Sequence, residues 1–482
     1  MPRIAVSWIR LTGLLAVVIA LAGVPVSAAA HRAPNIIVIV SDDHGWADLG
    51  VQGPRRDVRT PHLDALAADG VRFAAGYVSA PVCVPSRAGL LTGRYQTRFG
   101  IESNEDGPLP ASERTLANRL RDVGYTTGLV GKWHLAGSQA TTAALKRNPE
   151  AARDVIWGDN VGVNDANLPG RRGFDVYFCG ANRNYAASFD LHGRPLADAP
   201  VLVRDGRFRV DVQTEAALAY LRQQEPGGKP FFLYLAYFAP HVPIEAPEAW
   251  QAKFAHVTDP VRRTGLAMIA AVDDGVGRLR ALLRERGWDQ NTLIFFVGDN
   301  GAPLKPGMWD GSLNEPLVGE KGLLLDGGIR VPFLACWPGT LPAGKVYEHP
   351  VISLDIAATA LGAAGITVPP EGKLDGVDLR PFLTNRRTGA PHEALFWRFR
   401  SQAAMVTEPW KLIFIAPQRW LLFDRRNPAG ELRDVAAAHP EIVAQLRAKL
   451  EAWSAEQSPA GLPRRGTAAD DQYLSVYGLT DK

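Results

Sequence analysis

The chain has 482 residues, 46% hydrophobic and 21% charged, with no low-complexity tract. This composition excludes a disordered or fibrous chain, and the length calls for one large domain with a smaller one beside it. The formal charge of +3 is small for the length and gives no footprint for nucleic acid or a polybasic membrane contact, so local groups would have to hold any anionic ligand.

Arg3 and Arg10 give a positive start, Leu11 to Val26 is apolar, and Ser27-Ala28-Ala29-Ala30 supplies small residues. This is the pattern of a cleaved export signal over residues 1–30, and the run is short for a bilayer span. A periplasmic or secreted protein is predicted, with no stable membrane insertion after cleavage. Three cysteines, Cys83, Cys179 and Cys336, are too few for a disulfide framework. Cys179 and Cys336 could pair, but Cys336 lies in an apolar run, and two separate buried thiols are expected.

Asn35–Val40, Thr126–Val130, Phe231–Tyr237, Thr292–Val297 and Val331–Cys336 are short apolar runs that read as buried parallel strands. Amphipathic stretches alternate with them. Thr60-Pro61 opens one in N-cap and N1 positions, Arg114–Val123 stops at Gly124, and Arg262–Arg286 stops at Gly287. Alternation of this kind predicts an α/β domain over residues 31–385, built on a mostly parallel sheet flanked by helices. Residues 146–211 lack periodicity and read as insertions over one face of that sheet. From 386 to 482 the pattern changes. Ala394–Phe399, Lys411–Ile415 and Trp420–Phe423 read as a short antiparallel meander, and a helix follows His439-Pro440 to about Ser454, making a small α+β subdomain.

Ligands in open α/β sheets bind beyond the carboxyl ends of the strands. Four strand ends here carry chemistry: Ser41-Asp42-Asp43, Gly131-Lys132-Trp133-His134, Pro240-His241 and Asp299-Asn300-Gly301. Asp42, Asp43, Asp299 and Asn300 offer only oxygen ligands, a set that selects Ca2+ or Mg2+ over zinc. Carboxylates brought together in this way need a cation to offset their repulsion.

Cys83-Val84-Pro85-Ser86-Arg87, followed by Thr92-Gly93-Arg94, resembles the signature of the type I sulfatases. The likeness continues through Asp42-Asp43-His44-Gly45, Gly131-Lys132-Trp133-His134, Pro240-His241, Asp299-Asn300-Gly301, Glu320-Lys321-Gly322 and Gly328-Ile329-Arg330-Val331-Pro332, and into Leu422-Phe423-Asp424 with Asn427-Pro428. The resemblance implies an alkaline-phosphatase-like fold. It also implies that a maturation enzyme converts Cys83 to Cα-formylglycine, and that Ca2+ is held by Asp42, Asp43, Asp299, Asn300 and residue 83. By the same resemblance, Arg87 steadies the nucleophile and the metal carboxylates. Lys132 and Lys321 hold sulfate oxygens, His134 removes the proton that lets sulfate leave, and His241 or Lys321 protonates the leaving group. His44 and Arg330 are expected to be structural.

The expected activity is hydrolysis of a sulfate ester, with a sulfated carbohydrate as the expected substrate. Asn182, Arg183, Tyr185, Trp309 and Trp397 are candidates for sugar contacts. The competing reading is a phosphonate or phosphodiester hydrolase of the same superfamily. A catalytically dead glycan-binding protein is disfavoured by the complete residue set, and a zinc phosphatase by the lack of histidine-rich ligands.

Overall fold

The run Asn-Ile-Ile-Val-Ile-Val-Ser-Asp forms a strand buried along all eight residues, as a stretch rich in β-branched side chains does when both faces of its sheet are covered. The computed structural model describes residues 1–2, 33–137, 155–156, 161–162, 165–427 and 430–465; the expected export signal lies outside them. In chain order the strands begin with β1 (Asn35–Asp42), β2 (Val71–Phe73), β3 (Gly76–Tyr77), β4 (Thr126–Gly131), β5 (Val155–Ile156), β6 (Val161–Gly162), β7 (Val176–Cys179), β8 (Asn184–Ala187) and β9 (Val201–Arg204). They continue with β10 (Phe231–Pro240), β11 (Thr292–Gly298), β12 (Phe333–Cys336), β13 (Lys345–Tyr347), β14 (Val351–Ile352), β15 (Leu395–Phe399), β16 (Gln402–Val406), β17 (Trp410–Ile415) and β18 (Arg419–Asp424).

Among the described residues, ten strands form one sheet in the order β13-β2-β12-β11-β1-β10-β4-β7-β8-β9. β11, β1, β10, β4 and β7 run parallel, so their carboxyl ends share one edge. Register makes the alignment close: Ser41 lies opposite Gly298, Asp42 opposite Pro240, and Gly131 opposite both Ala236 and Cys179. The long helix Pro260–Glu285 lies against β10 and the Arg209–Arg222 helix. Asp259 caps it, accepting from the Arg262 amide at 2.9 Å.

Three expectations need correction and one a refinement. Phe333–Cys336 pairs antiparallel with β11 and β2, whereas a parallel strand was expected. β11 delivers the chain to the carboxyl edge, and the intervening loop never crosses to the other edge, so the next strand must run back. Within 146–211, β7, β8 and β9 extend the sheet sideways, where insertions over one face were expected. Strands of four residues are too short for periodicity to show. Thr60 and Pro61 hold the expected N-cap and N1 positions of the Pro61–Ala68 helix, but the Thr60 side chain does not bond its first amides. Asp273 of the long helix does so, accepting from His62 and Leu63 amides at 3.0 and 2.7 Å, while the Thr60 hydroxyl accepts from Gly50 and donates to Asp64. The C-terminal sheet has four antiparallel strands rather than three. The strand missed, β16, is Gln-Ala-Ala-Met-Val, whose alanines have little β propensity but whose five residues are all buried.

Cys179 and Cys336 are buried on β7 and β12, with four strands between them. At ~4.8 Å per strand they stand roughly 24 Å apart, beyond disulfide reach.

The C-terminal sheet shares a continuous apolar core with the large one. The Trp397 indole, 1% exposed, donates to the Val78 carbonyl at 2.7 Å. Lys411 of β17 is equally buried and joins Asp326 (2.7 Å) to Glu431 (2.6 Å). Removing one member of a buried charge cluster leaves its partners uncompensated, so Lys411→Met should cost about 3–5 kcal/mol in urea unfolding at neutral pH. Burial raises Glu431 to about 7. The folded state therefore binds more protons than the unfolded state between the unperturbed value and that one, and the variant should regain stability as pH falls through this window.

Candidate active site

Asp42 ends β1, and Asp43 follows with φ of 62°, a left-handed conformation that Asp tolerates better than most side chains. The Asp43 amide donates to Asp299 Oδ1 at 3.0 Å, which ties the β1 end to the β11 end.

Cys83 is the first residue of the Cys83–Thr92 helix, every residue of which is buried. That position carries unpaired helix amides and the positive end of the dipole. Its sulfur lies 3.4 Å from Asp42 Oδ1 and 4.0 Å from Asp43 Oδ1. Arg87, four residues on, shares the helix face with Cys83, which explains the spacing in the motif. Its guanidinium donates through Nε to Asp299 Oδ2 (2.9 Å) and through Nη1 to the Lys132 carbonyl (3.2 Å), and Nη2 lies 3.7 Å from Asp42 Oδ1.

Lys132, just beyond β4, reaches Asp42 Oδ2 at 2.7 Å. Lys321 spans both oxygens of Asp43 at 2.6 and 2.7 Å. Asn300 Nδ2 donates to Asp43 Oδ1 at 2.6 Å, while its own Oδ1 is buried without a hydrogen-bond partner. His241 places Nε2 3.7 Å from Asp43 Oδ2, and its Nδ1 lies 2.7 Å from the Val242 carbonyl, which makes Nδ1 the protonated nitrogen of the neutral ring. His134, with φ of 61°, feels the charges of Lys132, Arg87 and Asp42. The expected residues from Asp42 to Lys321 thus come together at one sheet edge. Oxygen, sulfur and nitrogen donors of Asp42, Asp43, Cys83 and His241 lie within 4.8 Å of one another, a grouping able to hold a metal ion.

The charge states follow from the packing. Burial opposes ionisation of Asp42, but Lys132, His241, Arg87 and Lys321 overcome it and hold the carboxyl well below the usual range. Burial and repulsion from Asp42 raise Asp299 to about 6, against the pull of Arg87. Burial alone would lower Lys321, and contact with Asp43 outweighs it. The Cys83 thiol is pushed up by burial, so the site does not make a thiolate. Burial lowers His241 to about 4 and His134 well below its ordinary value.

Some residues play other parts. His44 bonds Ser41 Oγ and the Asp48 carbonyl, both at 2.9 Å, and packs edge-on to Phe296. Arg330 binds the Ala74 carbonyl and Asp326. Tyr185 and Trp397 are core side chains, and the Trp309 indole is spent on the Ser312 carbonyl. Phe238 was not foreseen: its ring stacks on His241 at 4.7 Å and receives Lys132 at 4.9 Å and Arg209 at 4.8 Å. Nothing distinguishes it in the sequence from the other apolar residues of β10. Asn104, which accepts from the Val84 amide at 2.9 Å, carries no motif either.

A cysteine at a buried helix start, facing paired aspartates and two lysines, is an arrangement suited to hydrolysing esters of tetrahedral oxyanions. The chain matches the family model described as Sulfatase over residues 34–366, and one described as N-sulphoglucosamine sulphohydrolase, C-terminal, over 318–456. It is 34% identical over 392 residues to N-acetylgalactosamine-6-sulfatase of Sus scrofa, covering 78% of this chain and 71% of that protein. The crystal structure of Ps i-CgsB in complex with k-i-k-neocarrahexaose is similar with a TM-score of 0.74 at 30% identity, covering 93% of this chain and 98% of that one. A phosphonate monoester hydrolase from Silicibacter pomeroyi shares the fold at 23% identity and a TM-score of 0.63, covering 88% and 96%. The chain belongs to the sulfatase family, with the expected fold, and is a hydrolase of sulfate esters.

Proposed function

We propose that the protein releases sulfate from a sulfated carbohydrate, using Ca2+ and an oxygen nucleophile made from Cys83. The observation that carries this reading is the position of Cys83: fully buried at a helix start, against Asp42 and Asp43, with its thiol held protonated. A thiol so held is a poor nucleophile, and conversion to an oxygen group removes the difficulty. As a hydrated Cα-formylglycine, residue 83 would supply a geminal diol, with one hydroxyl for attack and a second whose deprotonation allows sulfate to leave.

Asp42, Asp43, Asp299 and Asn300 fit a hard divalent cation, and the orphaned Asn300 Oδ1 is a natural ligand atom. Three carboxylates, Asp42, Asp43 and Asp299, face three cations, Arg87, Lys132 and Lys321. A bound Ca2+ would add the positive charge that an arriving sulfate ester needs. Arg87 keeps Asp42 and Asp299 aimed. Lys132 and Lys321 neutralise sulfate oxygens as charge builds on them. His134 takes the proton whose loss releases sulfate.

A sugar substrate is supported by the sugar sulfates named for the Sus scrofa enzyme and the oligosaccharide in the Ps i-CgsB complex. Export through the 1–30 leader to the periplasm or the exterior, and a maturation enzyme as partner, complete the reading. So does the division into a catalytic domain to 385 and a C-terminal subdomain beyond.

Peptide mass spectrometry of active protein should show formylglycine at position 83; full activity with an unmodified thiol there would overturn the mechanism. Chelation should abolish turnover and added Ca2+ restore it, whereas an unchanged rate in metal-free protein would remove the metal assignment.

Two groups can protonate the leaving oxygen. Neutral His241 presents a bare Nε2, because Nδ1 carries the proton shared with Val242, and so it must be charged to donate. Lys321 is charged throughout. His241→Ala should harm alkyl sulfates more than aryl sulfates, whose leaving groups need less protonation. Steady-state rates on one of each will check it, and equal losses would give the role to Lys321.

A further inference from the structure

Arg209 opens the Arg209–Arg222 helix and is completely buried, yet its guanidinium donates to carbonyls rather than to a carboxylate: Nη1 to Pro243 at 2.8 Å and Nη2 to His241. Its Nε is buried without a hydrogen-bond partner. Its bonds to the His241 and Pro243 carbonyls place the cation against the loop beyond His241, and burial lowers it to about 10, with Glu245 and Asp42 opposing that shift. That loop lines a cavity of about 250 Å³ with Gly206, Arg207, Phe208, Glu245, Ala246 and Pro247.

A further feature reaches this place. The turn after β7 leaves the same sheet edge as Lys132, with the Gly180 amide donating to the Gly131 carbonyl at 2.8 Å. Arg183 lies on it. Arg183 holds φ of 62°, a conformation uncommon for arginine. The Arg183 side chain is 61% exposed, and its guanidinium reaches Glu245 at the cavity wall at 3.3 Å. Arg207, by contrast, is fully engaged by Asp205 and Glu215. The rim therefore offers one exposed cation held by a single glutamate, with the buried charge of Arg209 behind it.

We propose that this cavity is a subsite for a sugar residue bearing its own anionic group, a carboxylate or a second sulfate, which Arg183 binds on leaving Glu245. The inference rests on the carbohydrate reading above. Exchange of one carboxylate partner for another costs little at an exposed site, so Glu245 would act as a placeholder that keeps the arginine aimed.

Three substrate classes test it: a small aryl sulfate, a sulfated neutral disaccharide, and that disaccharide with a uronate or a second sulfate on the neighbouring residue. Arg183→Asn keeps a residue that tolerates positive φ. It should lower kcat/KM on the doubly anionic sugars by about tenfold, mainly through KM, and leave the other two classes within about twofold. Glu245→Gln should lower KM for the doubly anionic sugars. The uronate and disulfate arms show which anion the subsite takes. Equal effects of Arg183→Asn on neutral and doubly anionic sugars, or no effect on either, would overturn the subsite alone. Failure of the unaltered protein on every saccharide while it hydrolyses the aryl sulfate would overturn the carbohydrate reading and the subsite with it.

Discussion

Three carboxylates buried in one small volume, Asp42, Asp43 and Asp299, impose the constraint that the rest of the site answers. Left alone they would take up protons or force the strand ends apart. Arg87, Lys132 and Lys321 arrive from a helix, a strand end and a loop to meet them, one cation for each element that the sheet edge must hold in register. The repulsion thus works as a construction device. It binds chain segments up to 278 residues apart in sequence to a single point, and it leaves the point electrically balanced until a ligand or an ion tips it.

The same economy explains the C-terminal sheet. The loop between β11 and β12 carries Lys321 toward Asp43 and, five residues later, Asp326 toward Lys411. One short segment is therefore anchored at both ends by buried ion pairs, one in the reaction centre and one in the small sheet. The small sheet is a footing for the loop that carries Lys321 as much as a separate layer, and a shared apolar core joins it to the large sheet.

Much of this was legible in the residues. The central strands announced themselves because burial on both faces demands unbroken apolar runs, and the polar residues ending those runs then marked the edge where chemistry collects. Cys83 and Arg87 were legible as a pair through the signature they share, and the structure adds the reason: four residues make about one helical turn. What stayed hidden depended on tertiary neighbours. An aromatic residue does not announce which side of the surface it will occupy, so Tyr185 and Trp397 read as sugar platforms and proved to be core. Phe238 and Arg209 carry no local signal, since their meaning comes from a ring and a guanidinium meeting beneath His241. The reversal of β12 followed from where a loop left the chain, which periodicity does not record.

Cys83 has no exposed surface, and its helix is covered from end to end. Any enzyme that alters this side chain must reach it before the sheet edge closes over it. If residue 83 is oxidised as proposed, time becomes part of the architecture: oxidation would come first and closure second. A chain that folded too early would then be a complete scaffold around the wrong atom. The yield of competent protein would be a race between two rates during synthesis, decided before the site exists.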